Sequence, residues 1–193
     1  MQYTNKDIWN VSYPILLALL AQNVINVTDT AFLGHVGEVE LGASAMGGLL
    51  YICIFTVAFG FSTGSQIMIG RRNGEGRFRD VGPVMMQGCL FLFVMAAVLF
   101  GLCQWSMPVV VRALISSDNI YDATCEFLHW RMFGFFFSFV NVMFRALYVG
   151  ITRTKVLTIN AVVMALVNVF LDYALIFGCF GLPEMGLKGA AVA

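Results

Sequence analysis

Five apolar runs, each more than twenty residues long, divide the sequence. They cover about Ile8–Leu33, Leu41–Ile69, Val84–Val111, Phe127–Tyr148 and Val156–Phe177. A helix that crosses a bilayer needs about 20 mainly apolar residues. The runs are too long for strands and do not alternate with period two. In lipid, so many consecutive backbone amides are satisfied within one segment only by a helix. The expected fold class is an all-α polytopic membrane protein with five transmembrane helices plus the start of a sixth. Composition agrees: 60 % of the residues are apolar and 11 % charged, where an ordinary soluble domain is about 25 % charged. Eleven Lys and Arg balance eleven Asp and Glu, with a mean hydropathy of +0.84. So few charges exclude a soluble enzyme, a disordered chain and a nucleic-acid binder; membrane lipid is the expected surrounding.

The connections sort by charge. Arg71 to Asp80 carries four arginines, and Arg153-Thr154-Lys155 carries two basic residues. Gly34 to Glu40 has no Lys or Arg, and Ser116 to Thr124 carries Asp118 and Asp122 with Arg112 at its edge. The basic connections are every second one. The positive-inside rule makes them cytoplasmic, with the N-terminus inside and the loop Gly178 to Lys188 outside. No small-residue cleavage site follows the first run, which is therefore read as a retained helix. Pro83 sits at the start of the third run, where its missing N–H is harmless. Pro14 either kinks the first helix or lies in its first turn. Cys53, Cys89, Cys103, Cys125 and Cys179 mostly lie in apolar runs with no CxxC pair, so buried thiols are expected rather than disulfides or zinc.

An ionisable side chain at bilayer depth is expensive, so such residues are where chemistry is sought first. Asp29 and Asp172 qualify. Both lie roughly 8–9 Å below the outer ends of helices that run from inside to outside, at similar depth. Gln22, Asn26 and Asp29 share one helical stripe, as do Asn168 and Asp172. If the stripes face each other, two carboxylates meet up to three amides, a hard-oxygen set that suits Na⁺ or a shared proton. A helix cap at the interface is the plainer alternative for each acid alone.

Other polar residues read as packing or interface. Arg145 is expected to snorkel to the cytoplasmic face. Asn141 lines a cavity or bonds a neighbouring helix, and Gln66 is equally open. Glu126, His129 and Arg131 read as an interfacial charge cluster at the outer end of the fourth helix. Phe133, Phe135, Phe136, Phe137, Phe139 and Phe144 read as core and lipid contact rather than a drug chamber. With no HExxH, no Ser/His/Asp set and no phosphate-binding glycine loop, no enzymatic activity is expected.

The residues Thr28-Asp29-Thr30-Ala31-Phe32-Leu33-Gly34-His35-Val36-Gly37, followed by Leu41-Gly42-Ala43, resemble the first-helix signature of the multidrug and toxic compound extrusion (MATE) family. Gly64-Ser65-Gln66 with Gly70-Arg71-Arg72-Asn73-Gly74-Glu75 resembles its second-helix end and basic loop. Arg145, Gly150 and Thr152 to Lys155 resemble its fourth-to-fifth connection. Asn168 to Tyr173 and Gly186 to Ala193 resemble its fifth helix and the start of its sixth.

The resemblance implies a twelve-helix fold in two lobes around a chamber. It also implies export of cationic or amphipathic compounds in exchange for Na⁺ or H⁺, and a bacterial inner-membrane location. Residues 1–193 would be the N-terminal lobe, with a missing C-terminal lobe or a second copy as partner and no cofactor beyond the coupling ion. The family cation site maps onto Asp29, Asn168 and Asp172, with a sixth-helix carbonyl near Ala190. The family's threonine would fall just after Ala193. Gln22, Asn26 and Asn141 are the candidate chamber residues. The alternatives are a lipid-linked oligosaccharide flippase of a related fold, and a truncated non-functional product or half-size dimerising subunit.

Overall fold

The computed structural model describes residues 5–179 and 185–192. Within them lie seven helices: α1 Asn5–Val36, α2 Glu38–Gly74, α3 Val81–Leu114, α4 Asp118–Arg131, α5 Gly134–Gly150, α6 Lys155–Ile176 and α7 Leu187–Val192. A one-turn 3-10 helix, Phe78–Asp80, precedes α3. Four helices are long and apolar enough to cross a membrane, and α4 with α5 makes a fifth, bent span. The middle of the expected outer loop, 180–184, lies outside the described residues, as do 1–4 and 193.

The fourth span departs from expectation. Instead of one helix from about Phe127, it starts at Asp118, breaks after Arg131 and bends by 53° before Gly134. The first turns, Asp118-Asn119-Ile120-Tyr121-Asp122, are polar and lie outside the apolar run, so hydropathy does not reveal them. The break keeps its backbone paired: Met132 N–H donates to Leu128 O at 2.9 Å and Phe135 N–H to Met132 O at 3.0 Å. That pairing lets a bend persist in lipid, where an unpaired amide is costly.

Helix direction follows from which residues meet. Thr158 Oγ1 donates to Pro14 O at 2.8 Å, near the starts of α6 and α1, and Asn168 meets Asp29 towards their ends. These two helices therefore run parallel. Pro14 lies inside α1, not in its first turn, and its carbonyl serves as an inter-helix acceptor.

Early α2 faces α4, with Gly47 against Phe127, and late α2 faces late α5, with Gly150 against Ile69, so these also run parallel. A Cβ on Gly150 would stand 2.7 Å from Ile69 Cγ2 and 3.2 Å from Gln66 O, which is why this crossing uses glycine. The Phe61–Phe91 and Phe100–Phe133 ring pairs run α3 opposite to both α2 and the bent span. Consecutive spans thus alternate. The Gly70–Gly150 approach brings the two basic connections to one end of the bundle.

The core has two parts. Phe135, Phe139, Leu92, Leu128, Met143 and Val111 fill the larger one, among α2, α3, α4 and α5. The smaller joins Leu33, Ala43, Phe127, Ile176, Leu187, Ala190 and Ala191 across α1, α2, α4, α6 and α7. The phenylalanine run divides accordingly: Phe135 and Phe139 are fully buried, while Phe133, Phe137 and Phe144 are exposed. The exterior is rich in Leu, Val, Ile and Phe, as lipid contact requires. All five cysteines are free; Cys53 is exposed and the others are half-buried.

Candidate functional site

The parallel pairing of α1 with α6 decides the site. Residues at equal depth on the two helices meet, and Asp29 and Asp172 are such residues. Asp172 is 0 % exposed, and its carboxyl lies within hydrogen-bonding reach of that of Asp29. Asn168 stands one turn before Asp172 on the same face of α6. Its terminal amide, oriented by its two acceptors, donates to Asp29 Oδ1 at 3.2 Å and to Asp172 Oδ2 at 3.2 Å. The other oxygen, Asp172 Oδ1, is buried with no hydrogen-bond partner.

Helix α7 closes the site. Met185 N–H donates to Leu175 O at 2.9 Å and fixes the approach of the chain to α6. Gly186, with φ +50°, turns it into α7. Gly189 then packs so close that a Cβ there would stand 2.8 Å from the carbonyl carbon of Leu175. The small residues Ala190 and Ala191 are buried in the same seam.

Arg131 comes from the other side. Its half-buried guanidinium turns inward, not to the surface with Glu126 and His129. Its Nη1 donates to Ala190 O at 3.3 Å, and its Cζ lies 5.4 Å from the Tyr51 ring centre and 6.0 Å from that of Phe127. It is near enough to Asp172 for the two charges to interact. Glu126 pairs instead with Lys188 at 2.8 Å, and His129 Nδ1 shares a hydrogen bond with the Gln104 amide at 3.2 Å. The expected interfacial cluster of three is therefore two surface contacts and one inward cation. Arg131 follows Phe127 by one turn at the last residue before the break, and without knowledge of the bend its direction is not readable.

The remaining candidates lie apart. Gln22 and Asn26 are exposed on α1, and neither side chain joins the hydrogen bonds of the acid pair. Asn141 lines a cavity of about 340 Å³ with Arg145, Tyr148 and Asn160 among its neighbours. Arg145 does not simply reach for the surface: it is half-buried, with Cζ 5.0 Å from the Phe59 ring centre. Among the described residues no group of three or more His, Cys, Asp or Glu is placed to hold a metal ion. The donor set at α1–α6 is two carboxyls and one amide, which fits a proton or one hard monovalent cation. For a cation the Asn168 amide turns over to present its oxygen.

These features define an integral membrane helical bundle with an acid pair buried at one seam. The sequence model of the MatE family matches residues 14–174, and the chain belongs to that family, the one its motifs resemble. It is 29 % identical over 180 residues to the "Probable multidrug resistance protein NorM" of Rhizobium meliloti, covering 93 % of this chain and 38 % of the relative. It is 26 % identical over 188 residues to the NorM of Mannheimia succiniciproducens, covering 97 % and 40 %. The chain thus spans about 40 % of the length of these relatives. The fold is that of a MOP superfamily transporter from Pyrococcus furiosus, with a TM-score of 0.88 at 19 % identity over 96 % of this chain and 40 % of that one.

Proposed function

We propose that this chain is the N-terminal lobe of a cation-coupled antiporter that exports cationic or amphipathic drugs by alternating access, with Asp29, Asn168 and Asp172 as the coupling site. The observation that carries this reading is the fully buried Asp172 beside Asp29 with one oxygen unpaired. A buried acceptor without a donor is costly, and two adjacent carboxylates repel. A shared proton or a bound Na⁺ removes both penalties, so the site has a loaded and an unloaded form of different energy. A ligand biases a conformational equilibrium only by such a difference.

Ala190 O, which accepts from Arg131 Nη1 at 3.3 Å, is the carbonyl that the family site would add. Gln22, Asn26 and Asn141 supply polar points on the walls of the substrate chamber. The basic connections at one end of the bundle support a cytoplasmic N-terminus in a bacterial inner membrane. The alternative of a flippase for a pyrophosphate-linked lipid asks for several chamber cations, and the cavity beside Asn141 offers one, Arg145.

The test is efflux of a cationic dye from cells expressing the complete protein. Asp172→Asn and Asp29→Asn each abolish dye export driven by an ion gradient. Unchanged export in both variants refutes the coupling role.

A further inference from the structure

Three charged groups converge on the seam of α1, α6 and α7, and only two of them are acids. Fully ionised, Asp29 and Asp172 bring two negative charges, and Arg131 returns one positive charge. The cation on the closing helix itself, Lys188, is neutralised by Glu126 at 2.8 Å. The Arg131 guanidinium is held in place from three sides. Its Nη1 donates to Ala190 O at 3.3 Å, and its plane lies near the rings of Tyr51 and Phe127. Tyr51 is itself anchored, its hydroxyl 2.9 Å from Ser138 Oγ. An arginine stacked and bonded in this way does not drift away to solvent.

We infer that Arg131 is the specificity-determining residue of the acid-pair site, a tethered cation that limits it to one monovalent charge and shuts out divalent ions. The inference rests on the reading of Asp29 and Asp172 as the coupling site. With Arg131 in place, one proton or one Na⁺ brings the seam to neutrality, and a divalent ion leaves it with an excess charge in a poorly solvated place. Without Arg131 the same oxygens carry two uncompensated charges and suit a divalent ion or tighter monovalent binding. A unit charge that acts on a half-buried site, even without an ion-pair contact to it, changes affinity by roughly tenfold.

The test uses the complete protein purified in detergent and measures equilibrium binding of radiolabelled Na⁺ and Ca²⁺, which is independent of transport. Arg131→Gln gains saturable Ca²⁺ binding that the wild type lacks, and binds Na⁺ about tenfold tighter. Arg131→Lys, which keeps the charge, gains no saturable Ca²⁺ binding. Arg131→Met keeps an aliphatic stem over Tyr51 and serves as the second charge-free variant should Arg131→Gln fold poorly. Adding Asp172→Asn to either charge-free variant abolishes the gain. Unchanged Na⁺ and Ca²⁺ binding in the charge-free variants overturns the inference, and so does a gain that survives Asp172→Asn. Unchanged dye export in the aspartate variants strikes instead at the coupling reading.

Discussion

Gly189→Ala isolates what α7 does for the site. The added methyl would stand 2.8 Å from Leu175 C, 2.9 Å from Leu175 O and 3.0 Å from Leu175 Cβ. Two of those atoms are helix backbone and cannot turn aside as a side chain would, so α7 must move out by roughly half an ångström or more to restore ordinary contact. Two bonds feel the shift. Met185 N–H to Leu175 O, at 2.9 Å, lengthens with it, and Arg131 Nη1 to Ala190 O, at 3.3 Å, must readjust. Overpacking against backbone that cannot move aside lies in the upper part of the usual range, about 2–3 kcal/mol, against a helix-propensity gain of about 1 kcal/mol for Gly to Ala. The net loss is about 1–2 kcal/mol.

Gly88→Ala is the control. There the new methyl would stand 2.5 Å from Met143 Cε and 2.8 Å from its sulfur, the end of a flexible chain that moves aside. In thermal unfolding of the complete protein, Gly189→Ala is expected to melt clearly below wild type, and Gly88→Ala close to it. Equal melting of Gly189→Ala and wild type would refute the tight docking of α7 on α6.

Three more outcomes follow from the packing. Phe139→Ala removes a fully buried ring between α2 and α5 and lowers stability by about 3–5 kcal/mol, measured by equilibrium unfolding in mixed micelles. Thr152 holds φ +60°, a left-handed conformation that suits glycine and strains a β-branched residue, so Thr152→Gly raises the unfolding midpoint, by about 1 kcal/mol at most in stability. Arg71 bonds Glu75 at 2.8 Å and holds its carboxyl below the usual range, so this tie is complete at neutral pH and is lost as pH falls through the lowered value. The protection of amides at the end of α2, measured relative to their intrinsic exchange rates, should accordingly fall in acid, and Glu75→Gln should remove that pH dependence.

Much of the architecture was legible because lipid leaves the chain few choices. An apolar run of twenty residues must be a helix, and alternating basic connections order the spans. The match in depth between Asp29 and Asp172 needed only the counting of residues from helix ends, and the structure joins the two through Asn168. The illegible parts depend on rotation and bending. Gln22 and Asn26 share a stripe with Asp29, yet both are exposed, because periodicity fixes the stripe but not how far along it a neighbouring helix covers it. The break after Arg131 has no proline to announce it, and Arg131, which reads as a surface cation, turns inward to Ala190 O. The start of α4 was hidden for the opposite reason: its polar turns extend the helix beyond its hydrophobic part.

On the proposed reading, the unpaired Asp172 Oδ1 is also where coupling energy would come from. A buried acceptor left without a donor costs about 1–3 kcal/mol, and among the described residues no other buried side-chain nitrogen or oxygen lacks a partner: the Asn168 amide serves both carboxyls, and Arg131 serves Ala190. The unloaded arrangement is therefore penalised at one identifiable atom. A proton placed between the carboxyls, or a cation at Oδ1, removes that penalty only while α1, α6 and α7 stay closed around it. An opening that wets Asp172 satisfies the same oxygen with water and makes loading nearly indifferent. The difference between those two situations, about 1–3 kcal/mol or a factor of roughly 5–150 in population, is of the size that couples one site to another. It arises from the geometry of one oxygen, so a substitution that supplies a donor there should weaken coupling while leaving the bundle folded.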